Sequence, residues 1–68
     1  MPIEIVVNGE ARVAQEGQTI LDLLRQLGVE PERVAVELDR RIVKRPLWPE
    51  TTLRAGARIE VVQFVGGG

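Results

Sequence analysis

The dipeptide Asn8-Gly9 lies between two short runs rich in apolar and β-branched residues, and no other feature limits the fold of this chain as strongly. A two-residue connection between antiparallel strands favours a type I′ turn, in which both central residues take positive φ. Asn-Gly is the pair best suited to that geometry. Ile3-Glu4-Ile5-Val6-Val7 before the turn reads as a strand, and Ala11-Arg12-Val13-Ala14 after it alternates small-apolar and polar residues as a returning strand should. A lone hairpin is marginal in water, so its apolar face needs a cover.

The cover follows directly. Gly17 ends the second strand, and Thr19 stands where a helix N-cap belongs, with Asp22 three residues later in a capping-box arrangement. Ile20, Leu23, Leu24 and Leu27 recur at i, i+3, i+4 and i+7, which draws one apolar stripe along a helix. Asp22, Arg25 and Gln26 take the other face, and Gly28 is a natural residue to stop the helix. A helix of roughly nine residues is marginal alone and needs a sheet to lie on.

Past Pro31, Val34-Ala35-Val36-Glu37-Leu38 is a third strand, with Val34, Val36 and Leu38 on one side. Asp39-Arg40 turns the chain, and Arg41-Ile42-Val43 is a short fourth strand. Pro46, Trp48 and Pro49 argue against a long regular element between Lys44 and Thr52. Ala55-Gly56 makes another turn, and Arg58 to Phe64 alternates as a final strand. One helix on one face of a mixed four- to five-stranded sheet is the α+β, β-grasp (ubiquitin-like) roll. The final strand belongs in the middle of that sheet, beside the first. Residues 1–65 then form the domain, and residues 66–68 leave it as a flexible tail.

What the chain lacks narrows its chemistry. It has no cysteine and no histidine, which excludes thiol nucleophiles, disulfides, Cys/His zinc sites and the side chain best suited to proton transfer near neutral pH. A chain of 68 residues forms one domain and buries roughly 60% of its unfolded surface, too little to enclose a deep substrate pocket as well. Its net charge of −1 and lack of any basic cluster with stacking aromatics argue against nucleic acid. No apolar run approaches the roughly 20 residues of a membrane span, and no signal-peptide core is present. These features, with the missing cysteines, point to a cytoplasmic domain that is a monomer when free, binds no cofactor or metal, and is no enzyme by itself.

The remaining chemical group is the terminal carboxylate. Val65-Gly66-Gly67-Gly68 ends the sequence. Glycine carries no Cβ, so nothing crowds the acyl carbon of Gly68, and a thin Gly tail can thread a narrow channel of another enzyme. A carboxylate is a poor acyl donor until activated, for example as an acyl-adenylate made from ATP. Once activated it can take sulfur, giving a thiocarboxylate, or an amine, giving an amide. Composition leaves a sulfur carrier and a protein modifier both open.

The whole chain resembles the ThiS family of sulfur carriers in thiamine biosynthesis. The resemblance runs through Asn8-Gly9-Glu10, through Leu21, Leu23 and Leu24 of the helix, and through Val34-Ala35-Val36-Glu37-Leu38. It continues in Val43-Lys44-Arg45-Pro46-Leu47-Trp48, similar to the family's Val-x-Arg-x-x-Trp segment, and in Gly56 to Val62 leading into the terminal glycines. Asp39-Arg40-Arg41 departs from it, since family members often carry an Asn-containing turn there. By resemblance, Gly68 is adenylated by a ThiF-type enzyme that uses ATP, converted to a thiocarboxylate with sulfur from a cysteine-derived persulfide, and presented to the thiazole synthase ThiG. The tail glycines correspond to Gly67 and Gly68, with Gly66 as an extra residue. Arg45 and Trp48 are expected to be structural, with Trp48 against the sheet edge. Sulfur carriers for molybdopterin or tRNA thiolation share the tail, but usually lack the Arg-x-x-Trp segment.

A partner surface is also expected. If Ile59 and Val61 face the helix, Glu60, Val62 and Phe64 face away from it. If Ile3, Ile5 and Val7 face the helix, Val6 faces away. Val6, Val62 and Phe64 would then form an exposed apolar patch beside the tail, of the kind that marks a protein contact.

Overall fold

The computed structural model describes residues 1–64, so the expected tail at residues 66–68 and the domain boundary at 65 lie outside the described residues. Strand β1 (Pro2–Val7) and strand β2 (Glu10–Gln15) form the opening hairpin, in register from Pro2 opposite Gln15 to Val7 opposite Glu10. Asn8 and Gly9 have φ of 50° and 82°, the positive pair that a type I′ turn requires.

Helix α1 (Ile20–Leu27) begins on the expected capping box. The Thr19 hydroxyl accepts from the Asp22 N–H at 3.2 Å, and an Asp22 carboxylate oxygen accepts from the Thr19 N–H at 3.0 Å. The bond from the Thr19 N–H, and next to it the nearby Thr19 hydroxyl, hold the Asp22 carboxyl below its ordinary pKa. The helix ends in a Schellman pair: Gly28 at φ 75° donates to the Arg25 carbonyl, and the Val29 N–H donates to the Leu24 carbonyl.

Strands β3 (Val34–Leu38), β4 (Arg41–Ile42) and β5 (Arg58–Gln63) complete a five-stranded sheet in the order β2-β1-β5-β3-β4. Only the β1–β5 pairing is parallel, and it sets the last strand beside the first at the centre of the sheet. This is the expected β-grasp roll. The Asp39-Arg40 connection also places both residues at positive φ, 50° and 71°. That conformation costs a bulky residue such as Arg40 about 1–2 kcal/mol. Asp39 ties the turn down: its N–H donates to the Arg58 carbonyl at 2.8 Å, and its carboxylate accepts from the Arg58 N–H at 3.0 Å.

Among the described residues the buried core is wholly apolar. Ile5 and Val7 of β1, Ala14 of β2, Ile20, Leu23 and Leu24 of α1, Val34 and Val36 of β3, and Ile59 of β5 are buried. Three further core residues come from the irregular stretch before β5: Trp48, Leu53 and Ala57. Trp48 stands at the β3–β4 edge of the sheet as expected, beside Val43, but as a core residue rather than a surface cover. It is 2% exposed and belongs to the central cluster, carried inward by a 3₁₀ segment (Arg45–Glu50) that packs on α1. Its indole N–H donates to the Val43 carbonyl at 2.7 Å, so the one polar atom of the ring is buried with a partner. Val61 packs against the core as its expected orientation implies, but it is only partly buried, because β5 there has run past the end of β1 and has a strand on one side only, β3.

Candidate functional site

The chemistry expected from the sequence resides at Gly68, so the question for the described residues is how β5 delivers the chain to that point. Residues of β5 with odd numbers turn their backbone groups toward β1. The Val6 N–H donates to the Ala57 carbonyl and the Asn8 N–H to the Ile59 carbonyl, both at 2.9 Å. The next rung belongs to Val61, where β1 has already turned into the hairpin. There the Asn8 side chain takes over: its amide oxygen accepts from the Val61 N–H at 2.8 Å and its amide nitrogen donates to the Val61 carbonyl at 3.3 Å. A primary amide presents the same donor and acceptor pair as a peptide group, so Asn8 adds a rung to the ladder with its side chain. On the opposite side the Phe64 N–H donates to the Arg33 carbonyl at 2.7 Å. Asn8 and Arg33 therefore hold β5 up to the last described residue.

Sequence reasoning assigned Asn8 to the turn alone and missed this second task. Its signal would have been that a Gly-Gly or Asp-Gly turn could close the hairpin, while only a carboxamide offers both bonds. Asn8→Gly separates the two tasks, because glycine keeps the positive φ and removes the amide. We expect the melting temperature to fall by only a few degrees, equivalent to about 1 kcal/mol. Amide hydrogen exchange should accelerate at Val61 well beyond any change at Ile59. Equal changes at both amides would show that the side chain does not hold the strand.

The face of the sheet turned away from α1 carries the expected docking residues, but not as one patch. Val62 and Phe64 are 54% and 57% exposed, and Val62 pairs in register with Ala35 of β3. Val6 is half-buried and pairs with Arg58, four residues before Val62. At about 3.3 Å per residue that is a separation of roughly 13 Å along the sheet. Between them stand Glu60 and its register partner Glu37. A shallow depression of about 290 Å³ at Val6 is lined with Glu37, Arg40, Arg58 and Glu60, so the surroundings of Val6 are charged. The parallel register divides the face into an apolar end at Val62 and Phe64, next to the exit of the chain, and a charged end at Val6. Among the described residues no cluster of acidic side chains could hold a metal ion, and no helix is long and apolar enough to cross a membrane.

Comparison with known proteins agrees with this geometry. The sequence pattern of the ThiS family matches residues 3–68, which includes the terminal glycines. The chain belongs to the ThiS family. Among the relatives, the sulfur carrier protein ThiS of Escherichia coli is 30% identical over 66 residues, covering 97% of this chain and 100% of its own. A crystal structure of the thiamine biosynthesis protein ThiS from Geobacter metallireducens superposes with a TM-score of 0.83 at 32% identity, covering 97% of this chain and 100% of that one. A thiazole synthase of Magnetococcus marinus is 42% identical over 66 residues, but this chain spans only 20% of that protein's length. A segment resembling the whole of this chain thus forms a fifth of that thiazole synthase.

Proposed function

We propose that the chain is a sulfur carrier of thiamine biosynthesis, working as a protein substrate rather than as a catalyst, with Gly68 as its reactive residue. The observation that carries the reading is the family match, which extends through Gly66, Gly67 and Gly68. The fold supports it. A central strand held by Asn8 and Arg33 gives the terminal residues a rigid base. The four residues after Phe64 can reach at most about 14 Å when extended, enough to enter a narrow active site while the domain stays outside.

The Gly68 carboxylate attacks the α-phosphate of ATP on a ThiF-type enzyme and releases pyrophosphate. A cysteine-derived persulfide then displaces AMP, and a second thiol attacks the cysteine sulfur of the resulting acyl disulfide, forming a disulfide with it and releasing the thiocarboxylate. The carrier itself binds no cofactor, and ATP belongs to its partner. Thiazole synthase is the acceptor, a reading supported by the thiazole synthase that contains a segment like this chain. The cytoplasm, where ATP and reduced thiols coexist, is the compartment that suits these steps, and the free carrier is a monomer. The direct test is formation of a thiocarboxylate at Gly68 with the adenylating enzyme, ATP and a sulfur donor.

Docking of the partners falls to the apolar end of the outer face. Phe64→Ala should leave the melting temperature almost unchanged, since its ring is more than half exposed. Affinity for the adenylating enzyme should fall roughly 30-fold, the loss expected of an aromatic anchor worth about 2 kcal/mol. Titration of both proteins against the same enzyme measures this, with Val6→Ala as the comparison expected to lose much less. Unchanged affinity for Phe64→Ala would remove Phe64 from the docking surface.

A further inference from the structure

Strand β2 is an outer strand of the sheet, paired with β1 on one side only. The even residues of β1 turn their backbone groups toward β5. The Val6 and Asn8 N–H groups donate to the Ala57 and Ile59 carbonyls, and the Glu4 carbonyl accepts from the Gly56 N–H at 2.7 Å. The odd residues of β1 therefore bond to β2, where their register partners are Glu10, Arg12 and Ala14. Ala11, Val13 and Gln15 turn their backbone groups outward. The rung at Gln15 is already filled: its N–H donates to the Gln18 side-chain oxygen at 2.7 Å, and its carbonyl accepts from the Gln18 N–H at 3.0 Å. Ala11 and Val13 have no such cap. Among the described residues the N–H and carbonyl of both are without a hydrogen-bond partner, and both residues are exposed, Val13 at 67%. Two whole rungs are open to an added strand.

Nothing blunts this rim. The β1–β2 register runs without a bulge, and residues 10–15 include no proline. Ala11 and Val13 stand on the outer face of the sheet, opposite Val6 and Glu4, whereas Glu10 and Arg12 stand on the helix face, opposite Val7 and Ile5. Both charged residues are exposed, and neither forms an ion pair among the described residues. They select the occupant. A second copy filling both rungs, Ala11 against Val13 and Val13 against Ala11, would set Arg12 directly against Arg12, and like charges so placed oppose pairing. A strand from a different protein escapes that repulsion by placing an acid opposite Arg12 and a base opposite Glu10.

We propose that the β2 rim is a docking site for an extended segment of a partner protein, added antiparallel to β2 and reading apolar, acidic, apolar, basic in its own chain order. Its two apolar residues exchange backbone bonds with Val13 and then Ala11. Its carboxylate pairs with Arg12 and its cation with Glu10. Strand β1 stands between this rim and β5, so the rim stays open while the end of β5 is engaged, and the proposal does not depend on the sulfur chemistry.

A blocked peptide with the core Val-Glu-Val-Lys, titrated into the isotopically labelled full chain, tests the proposal. The expected result is a saturable shift of the Ala11 and Val13 amides, with a dissociation constant of about a millimolar or tighter. Hydrogen exchange at both amides should slow. Methylating the backbone nitrogens of the peptide's two valines removes two donors and keeps every charge, so affinity should fall roughly tenfold or more. Arg12→Glu, checked for an unchanged melting temperature, should weaken the original peptide roughly fivefold, and exchanging the peptide's glutamate for lysine should restore binding to that variant. No shift at the two amides would overturn the proposal, as would indifference to Arg12→Glu. Equal binding of the methylated peptide would also overturn it, by showing that the rim reads charge without adding a strand. So would the same shifts on raising the concentration of the chain alone, which would make the occupant a second copy.

Discussion

Trp48→Ala should bring the domain close to the limit of folding. Replacing a buried tryptophan by alanine costs about 3–5 kcal/mol through lost burial and the cavity left behind. A domain of this size has only about 3–10 kcal/mol in total at the usual stability per residue. The substitution also leaves the Val43 carbonyl without its indole donor and frees the segment that seats Leu53 behind the helix. Urea unfolding followed by circular dichroism measures the effect, since the variant has lost its only tryptophan. A large fall in the midpoint is expected, with partial unfolding in water at 37 °C. Trp48→Phe keeps most of the volume and should recover more than half of the loss. A change below about 1 kcal/mol for Trp48→Ala would show that the ring is dispensable to the core, contrary to its burial.

Deleting Gly67 and Gly68 should have the opposite profile, abolishing sulfur transfer and leaving stability as it was. Among the described residues, the last backbone bond is that of the Phe64 N–H and the last buried residue is Ile59. A terminal segment that buries little contributes little to the folding free energy. Transfer is lost because Gly66 would then carry the carboxylate, two residues or about 7 Å short of where the adenylating site receives it. Near-attack geometry tolerates displacements of well under that distance, so the expected loss is complete within detection rather than graded. Melting of the two chains should agree within error. Residual transfer above a few per cent would locate the reactive group elsewhere, and a fall in melting temperature would show that the terminal residues pack on the domain.

Much of this fold is legible because its signals are local. Asn8-Gly9 dictates a turn within four residues, Thr19 with Asp22 starts a helix and Gly28 stops it. Each was matched by the backbone. The stripe of Ile20, Leu23 and Leu24 is buried because its period is that of a helix, and the alternation of β5 sorts Ile59 from Glu60 for the same reason. Readings that needed long-range information failed. Val6 and Val62 share a face, but the parallel register that separates them by four residues depends on where β5 meets β1, which neither strand encodes alone. Trp48, Leu53 and Ala57 lie in a stretch without periodicity, where each side chain is aimed by a different turn, so no pattern marks them as core. The second role of Asn8 spans 53 positions and appears only when the two strands are set side by side. As for the site, the proposed reactive residue, Gly68, is read from the terminal glycines and from resemblance, and it lies outside the described residues.

The measurement that bears most directly on function is the intact mass of the chain after incubation with a ThiF-type adenylating enzyme, ATP, a persulfide donor and a thiol reductant. A sulfur carrier gains the mass difference between sulfur and oxygen, once per molecule. Fragmentation places that gain at Gly68, and the gain is absent when ATP is omitted or when Gly67 and Gly68 are removed. Unchanged mass in the complete mixture, with a carrier of known activity converted alongside, would contradict the assignment, as would a gain that maps to an internal side chain.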